Sequence, residues 1–189
     1  MKEWSRYYDA VDATPRDTLV DALDRFDAPG IAVDLGCGSG RDTIELLRRG
    51  WRVVAIDAEE EGVRRLRAVT GDDEPVETRV TSFEEAELPS CELVNASFSL
   101  PFCRPDRFGD LWTRIGGALP PGGRFCGQLF GDRDGWAPDP GITFLTRSQV
   151  ENLLRAYEVE RLDEVEEDST TVLGEPKHWH LFHIVARRR

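Results

Sequence analysis

The stretch Ile31-Ala-Val-Asp-Leu-Gly-Cys-Gly-Ser-Gly-Arg41 restricts this chain more than any other. An apolar run ends on Asp34, glycines follow at 36, 38 and 40, and a helical pattern begins near Arg41. Strand, glycine loop and helix start together describe a backbone that turns tightly beneath a bound ligand. Glycine permits positive φ and removes the Cβ that would hold a ligand off the main chain. The new helix offers unpaired N–H groups and the positive end of its dipole. The expected ligand is nucleotide-like.

The rest of the chain bounds the setting. Its 189 residues suit one domain, 1–189, able to enclose a buried site. No apolar run approaches the ~20 residues of a membrane span, and the start, Met1 to Tyr8, lacks an apolar signal core. No membrane partner and a cytoplasmic location are expected. A net charge of −12 argues against nucleic acid, which needs surplus Lys and Arg; Arg187 to Arg189 read as a solvated end. Cys37, Cys91, Cys103 and Cys126 contain no C-x-x-C pair, so reduced, mostly buried thiols are expected.

Glu3 to Val11 carries Trp4, Tyr7 and Tyr8 on one helical face, either packed on the domain or closing over a pocket. Together with a helix from Pro15 to about Phe26, capped by Thr14, it makes residues 1–28 an N-terminal helical unit and a candidate substrate flap. After the glycine loop, Arg41 to Arg49 reads as a helix facing inward through Ile44, Leu46 and Leu47. Trp51 to Asp57 reads as a strand. Glu59 to Val69 is a helix with Val63, Leu66 and Val69 on its apolar face, followed by a surface turn at 71–75. Strands are expected at Val76 to Val80, Cys91 to Ser97 and Arg124 to Phe130, with a helix around Phe108 to Ile115 that stops at Gly116-Gly117. The polar segment 131–141 is a long loop. Thr146 caps a helix, Arg147 to Tyr157. Glu158 to Val165 and Trp179 to Ala186 are joined too closely for a crossover helix and pair antiparallel. This order predicts an α/β, doubly wound fold. Ligands then bind beyond the carboxyl ends of the strands, beside the first strand.

A dinucleotide site asks for G-x-G-x-x-G, but the third glycine position is Arg41 or Thr43. A P-loop needs Gly-Lys-Ser/Thr, which is absent. What stands here is an acid two residues before alternating glycines, and a second acid, Asp57, closing the next strand.

Val33-Asp-Leu-Gly-Cys-Gly-Ser-Gly40 resembles motif I of the class I S-adenosylmethionine-dependent methyltransferases. The resemblance runs on through Leu119-Pro-Pro-Gly-Gly-Arg124, the turn before that family's fifth strand, to the terminal hairpin. It implies a three-layer, seven-stranded sheet in order 3-2-1-4-5-7-6 with the last strand antiparallel. Within the superfamily, Asp-Leu-Gly-Cys-Gly-Ser-Gly-Arg-Asp looks most like small bacterial enzymes of the tellurite-resistance and thiopurine type. S-adenosyl-L-methionine is the implied cofactor. Asp34 would steer the loop and the methionine ammonium, and Gly36, Cys37, Gly38, Gly40 and Arg41 would lie along it. Asp57 would accept from both ribose hydroxyls, with Ala58 near the adenine. Family members often place an acid after the third strand; here Thr81, Ser82 and Phe83 stand there, so Ser82 and Phe83 would meet the adenine. Ser97 and Phe98, after the fourth strand, would complete the cofactor-binding set, and they stand where many amino- and base-methylating enzymes carry Asn/Asp-Pro-Pro-Tyr.

The sulfonium methyl is already activated, so the protein chiefly aligns the acceptor in line and excludes water. A base is needed only for an acceptor that carries a proton. His178 and His180, on one face of a strand, are the candidate bases; structural histidines, and a metal pair for which no third ligand is identifiable, are the competing readings. Trp4, Tyr7, Tyr8, Phe130 and Trp136 would line a pocket for a small, partly apolar or cationic acceptor, methylated at O, N, S or a metalloid. The alternative is a methyltransferase-like fold that binds the cofactor without turnover. No metal is expected, and oligomeric state is not readable.

Overall fold

The computed structural model describes residues 4–71, 73–137 and 139–189. The expected helix start at Glu3, Asp72 of the surface turn and Pro138 of the long loop lie outside them.

Among the described residues, eight strands form one sheet: β1 (Ile31–Leu35), β2 (Arg52–Asp57), β3 (Val76–Val80), β4 (Leu93–Ala96), β5 (Arg124–Gly131), β6 (Phe144–Leu145), β7 (Tyr157–Thr170) and β8 (Pro176–Arg188). Their order is β3-β2-β1-β4-β5-β8-β7. The five central strands run parallel, and β8 is antiparallel to both β5 and β7. The expected order therefore holds, with the hairpin renumbered by one strand that the sequence reading did not contain. That strand, β6, is two residues long and pairs with β5 at Phe130 and Gly131. Phe130 also pairs with Leu181 of β8, so β6 occupies the opposite edge of β5, in line with β4. Two residues are too few for a periodic signal.

Alternation along the buried strands sends side chains to two apolar layers. On one face Val33, Leu35 and Ile56 meet Leu111, Trp112 and Ile115 of α5 (Pro105–Ala118) and Val150 of α6 (Arg147–Leu153). On the other, Ala32, Val53 and Val185 meet Leu19 of α2 (Asp17–Leu23), Leu46 of α3 (Arg41–Arg48) and Val63 and Leu66 of α4 (Glu60–Thr70). The seven-residue α1 (Trp4–Ala10) lies outside this sandwich, tied to α4 by Arg65, which bonds Asp9 (2.6 Å) and Ser5 (3.2 Å).

Several expected boundaries move, each for a local reason. Helix α2 begins at Asp17, not Pro15, and Thr14 does not cap it; the Arg16 N–H is drawn instead to Asp42 Oδ1 (3.1 Å). In α3, Ile44 is exposed, because the inward face carries Asp42 and Thr43 beside Leu46. Val69 is likewise exposed at the end of α4. Helix α5 runs through Gly116 and Gly117 to Ala118. Thr146 does cap α6, in a capping box with Gln149, but the helix ends at Leu153 and Tyr157 already belongs to β7. A register shift between Val159 and Arg161 leaves Val159 exposed.

Candidate active site

The turn after β1 is held from below by Ile56, whose carbonyl accepts the Gly36 and Cys37 N–H groups (2.7 and 3.0 Å). Gly36 takes a φ of 82°, and a Cβ there would meet Ser99 Cβ at 2.2 Å, so the loop lies flat on the end of β4 only as glycine. Gly38 and Gly40 also have positive φ, and Gly40 is the N-cap of α3.

Asp57 ends β2 beside this loop. Its two carboxylate oxygens accept one backbone N–H each, Gly38 to Oδ2 (2.8 Å) and Glu59 to Oδ1 (2.8 Å). Each keeps acceptor capacity for a hydroxyl. Burial raises the carboxyl's pKa against the lowering effect of those N–H bonds.

Asp34 is 2% exposed and faces the α3 side. It accepts Thr43 Oγ1–H at 2.5 Å and Asn95 Nδ2–H at 2.9 Å. Asn95 also reaches Asp42 Oδ2 (3.2 Å), while Asp42 Oδ1 accepts Arg41 Nε–H and the Arg16 backbone N–H, both at 3.1 Å. Burial, and then the Asp42 charge, push Asp34 well above the usual carboxylate range. Burial also acts upward on Asp42, but the charge and hydrogen bond of Arg41 hold it below that range. Two neighbouring carboxyls are thus driven apart, one toward the acid form and one toward the ion. Asn95, Thr43 and Asp42 were missed in the sequence; the one trace was a polar residue inside an apolar strand.

These groups floor a cleft of about 50 Å³ whose roof is Tyr7, Tyr8 and Val11. Of the expected cofactor residues, Asp34, Gly36, Cys37, Gly38, Arg41 and Ser97 line it. Cys37 is buried, and burial raises its thiol pKa. Ser97 Oγ–H donates to Asn95 Oδ1 (3.1 Å). Ala58 is exposed at the end of β2, Ser82 and Phe83 are half-buried after β3, and the Phe83 ring lies beside Gly36.

Phe98 is the one non-glycine residue with positive φ (53°) among those described. Its N–H donates to Gln128 Oε1 (3.0 Å), and Gln128, fully buried on β5, donates through Nε2 to Thr18 Oγ1 (2.9 Å). Around Phe98 the aromatic residues gather. Phe98 meets Trp179 and His183 edge-on at 6.2 and 6.3 Å, and Phe130 touches Phe102, Trp136 and Trp179. Trp4 reaches this group through Phe102 (5.5 Å), whereas Tyr8 packs on Gly38 at the cleft. Lys177 lies within the aromatic group, its ammonium 3.7 Å from the Trp179 ring and paired with buried Asp134.

The structure does not bring His178 and His180 to the cleft. His178 bonds Asp168 (2.7 Å) and Glu166 (3.3 Å) across the β7–β8 hairpin. His180 is buried, accepts the Arg133 N–H at Nδ1 (3.1 Å) and meets Glu164 at Nε2 (2.9 Å). Both rings are occupied by the hairpin arm and its neighbouring loop. The histidine beside Phe98 is His183, on the opposite face of β8 and 3.5 Å from Gln128 Nε2. Burial lowers its pKa, favouring the neutral ring.

Comparison with known proteins agrees with this geometry. Residues 32–123 match the family described as a methyltransferase domain. Carboxy-S-adenosyl-L-methionine synthase from Erwinia tasmaniensis is 32% identical over 97 residues, a match covering 48% of this chain and 39% of that protein. Among solved structures, TehB from Haemophilus influenzae overlays 98% of the chain at 16% identity and a TM-score of 0.83, covering 66% of its own length. The 1,6-didemethyltoxoflavin-N1-methyltransferase from Burkholderia thailandensis, with bound 1,6-didemethyltoxoflavin and S-adenosylhomocysteine, overlays 97% at 22% identity and a TM-score of 0.73, covering 80% of its length. The strand order and the overlays show that the chain has the Rossmann-like fold of these methyltransferases. More particularly, the segment 32–123, just under half of the chain, is the part that matches the methyltransferase domain model. The chain spans less than two thirds of the length of both the Erwinia relative and TehB.

Proposed function

We propose that this protein transfers a methyl group from S-adenosyl-L-methionine to a small-molecule acceptor by in-line displacement. The observation that carries the reading is Asp57, pinned by Gly38 and Glu59 N–H groups beside the glycine loop with acceptor capacity left on both oxygens. That arrangement suits two vicinal ribose hydroxyls. A shorter dinucleotide-type cradle is disfavoured by Arg41 and Thr43, which stand where a third glycine is needed.

The cofactor supplies a methyl already activated on a sulfonium; the chain supplies position and dryness. Asp34 and the loop carbonyls would hold the methionine ammonium, and Arg41, in the same cleft lining, would meet its carboxylate. Ala58, Ser82 and Phe83 border the adenine. Ligand pockets are roughly 300 Å³ or more, and the cleft beneath Tyr7 and Tyr8 is about 50 Å³. That mismatch supports a flap role for α1, the part of residues 1–28 that carries both tyrosines. We put the acceptor at the Phe98 turn, just past the end of β4 and next to Ser97.

For an acceptor that carries a proton, we assign the base to His183 in place of His178 and His180. Its ring is neutral by burial, adjoins Phe98 and leaves Nε2 unengaged in the bonds described. The match to the Erwinia synthase covers under half of this chain and supports the cofactor more than any acceptor. Calorimetry with S-adenosylmethionine and with NAD tests the reading: micromolar binding of the first is expected, and binding of NAD alone would overturn it. Methyl transfer to small phenols, amines, thiols and metalloid oxyanions, read as S-adenosylhomocysteine released, separates turnover from silent binding.

A further inference from the structure

The site holds two arginines, and their surroundings differ. Arg41 lines the cleft and bonds Asp42 through Nε. Arg16, at the entrance to α2, lies outside that lining, with its guanidinium carbon 4.5 Å from the Phe98 ring centre. Its Nε is buried without a hydrogen-bond partner. Its backbone N–H bonds Asp42, a carboxylate already shared by Arg41 and Asn95, and the Asp42 charge also acts on the guanidinium. The Tyr7 side chain hydrogen-bonds the guanidinium, which leaves the buried Nε as the unmet donor. Elsewhere in this acidic chain a buried arginine is matched: Arg124 grips Glu160 with two bonds of 2.8 and 2.9 Å. A sequestered cation with an unmet donor is costly unless an anion completes it.

Phe98 supplies the second observation. Its left-handed backbone is a conformation of about 1–3 kcal/mol cost, and it persists because Gln128 fixes the N–H. The result turns the ring under Arg16 and edge-on to half-buried Trp179. An apolar corner of two rings set at 83° therefore adjoins a fork-shaped cation. Guanidinium geometry fits a carboxylate or a similar planar anion with paired N–H bonds.

We propose that the methyl acceptor is a planar organic acid, its anionic group bound by Arg16 and its ring lying against Phe98 and Trp179. This rests on the methyltransferase reading and names the class of acceptor. It assigns the cofactor's carboxylate to Arg41 and leaves Arg16 to the acceptor.

The test is calorimetry on the full chain saturated with S-adenosylhomocysteine. The probes are 4-hydroxybenzoate, 4-aminobenzoate and indole-3-carboxylate, each against its neutral amide. The acids are expected to bind at least about tenfold tighter, as a charge-assisted pair implies. In Arg16→Gln that preference falls to within about twofold, while affinity for S-adenosylmethionine stays unchanged. Arg16→Lys, which keeps the charge and loses the fork, retains part of the preference. Thermal melting of each variant checks folding. Acids and amides that bind alike, or neither binding at all, overturn the proposal. So does an Arg16→Gln variant that loses S-adenosylmethionine and keeps the acid preference, which would give Arg16 to the cofactor. Failure of the wild-type chain to bind S-adenosylmethionine is a different result and removes the underlying function.

Discussion

The two halves of the site are built by different means. On the cofactor side, the β1 turn, Gly40 and the ends of β1 and β2 act largely through backbone: glycine φ values, N–H groups and one carboxylate held by main chain. On the proposed acceptor side, around Phe98 and the ends of β5 and β8, side chains do the building: Phe98 on Gln128, Trp179 against Phe98 and Phe130, and Lys177 with Asp134 inside an aromatic group. Backbone devices demand particular residues at fixed spacing and leave a motif. Side-chain assemblies draw on distant segments and leave almost none.

Substitutions on the acceptor side should spare cofactor binding, and those on the cofactor side should not. The largest expected effect is His183→Ala, which should lower kcat by about 10²- to 10⁴-fold for a protonated acceptor if the ring is the base. Affinity for S-adenosylmethionine should be unchanged, and His178→Ala should leave kcat as it is. A kcat loss in His178→Ala instead would return catalysis to the hairpin arm.

Next comes Asp134→Ala. It leaves the Lys177 ammonium buried without its carboxylate and also removes acceptors for the Trp136 and His180 N–H groups. Breaking a buried pair in this way costs about 3–5 kcal/mol, seen as a lower urea midpoint. An unchanged midpoint would mean that the loop bearing Trp136 does not hang from this pair.

Asp57→Ala tests the cofactor half. Loss of the ribose bonds and of the grip on Gly38 should weaken S-adenosylmethionine by about 1–3 kcal/mol, measured by calorimetry. Equal affinity would remove Asp57 from the ribose site.

The smallest effect is a proton count. Burial and the Asp42 charge raise the Asp34 pKa, so the free protein retains a proton there as pH falls below that raised value. A bound ammonium favours the carboxylate. Binding in that range must therefore release protons, and affinity must fall as pH falls. The heat measured in buffers of different ionisation enthalpy reports the release, and Asp34→Asn should abolish it. Proton uptake would reverse the assignment.

Particular residues show where the sequence was legible. Val76 to Val80 has the bounds its β-branched pattern predicts, and the antiparallel terminal pair follows from connection length, whereas the strand order is what the family resemblance implies. The α3 face was misread at Ile44 because hydrophobic periodicity cannot register a buried Asp42 and Thr43 satisfied by Arg41 and Asp34. Strand alternation puts His178 and His180 on one face and His183 on the other, but spacing alone does not say which face lies beside Phe98.

By itself, the sequence determined the sheet, the glycine turn and the two acids at the ends of β1 and β2. These depend on local geometry: positive φ, helix starts and alternating burial are set within a few residues. Only the tertiary structure decided that Asn95 joins Asp34 to Asp42 across 61 and 53 positions, that Gln128 ties the Phe98 turn to Thr18 across 110, and that His183 and Arg16 flank the same ring. Such contacts follow from how strands are ordered and stacked, and neither their cost nor their partners are written in the spacing of the residues that make them.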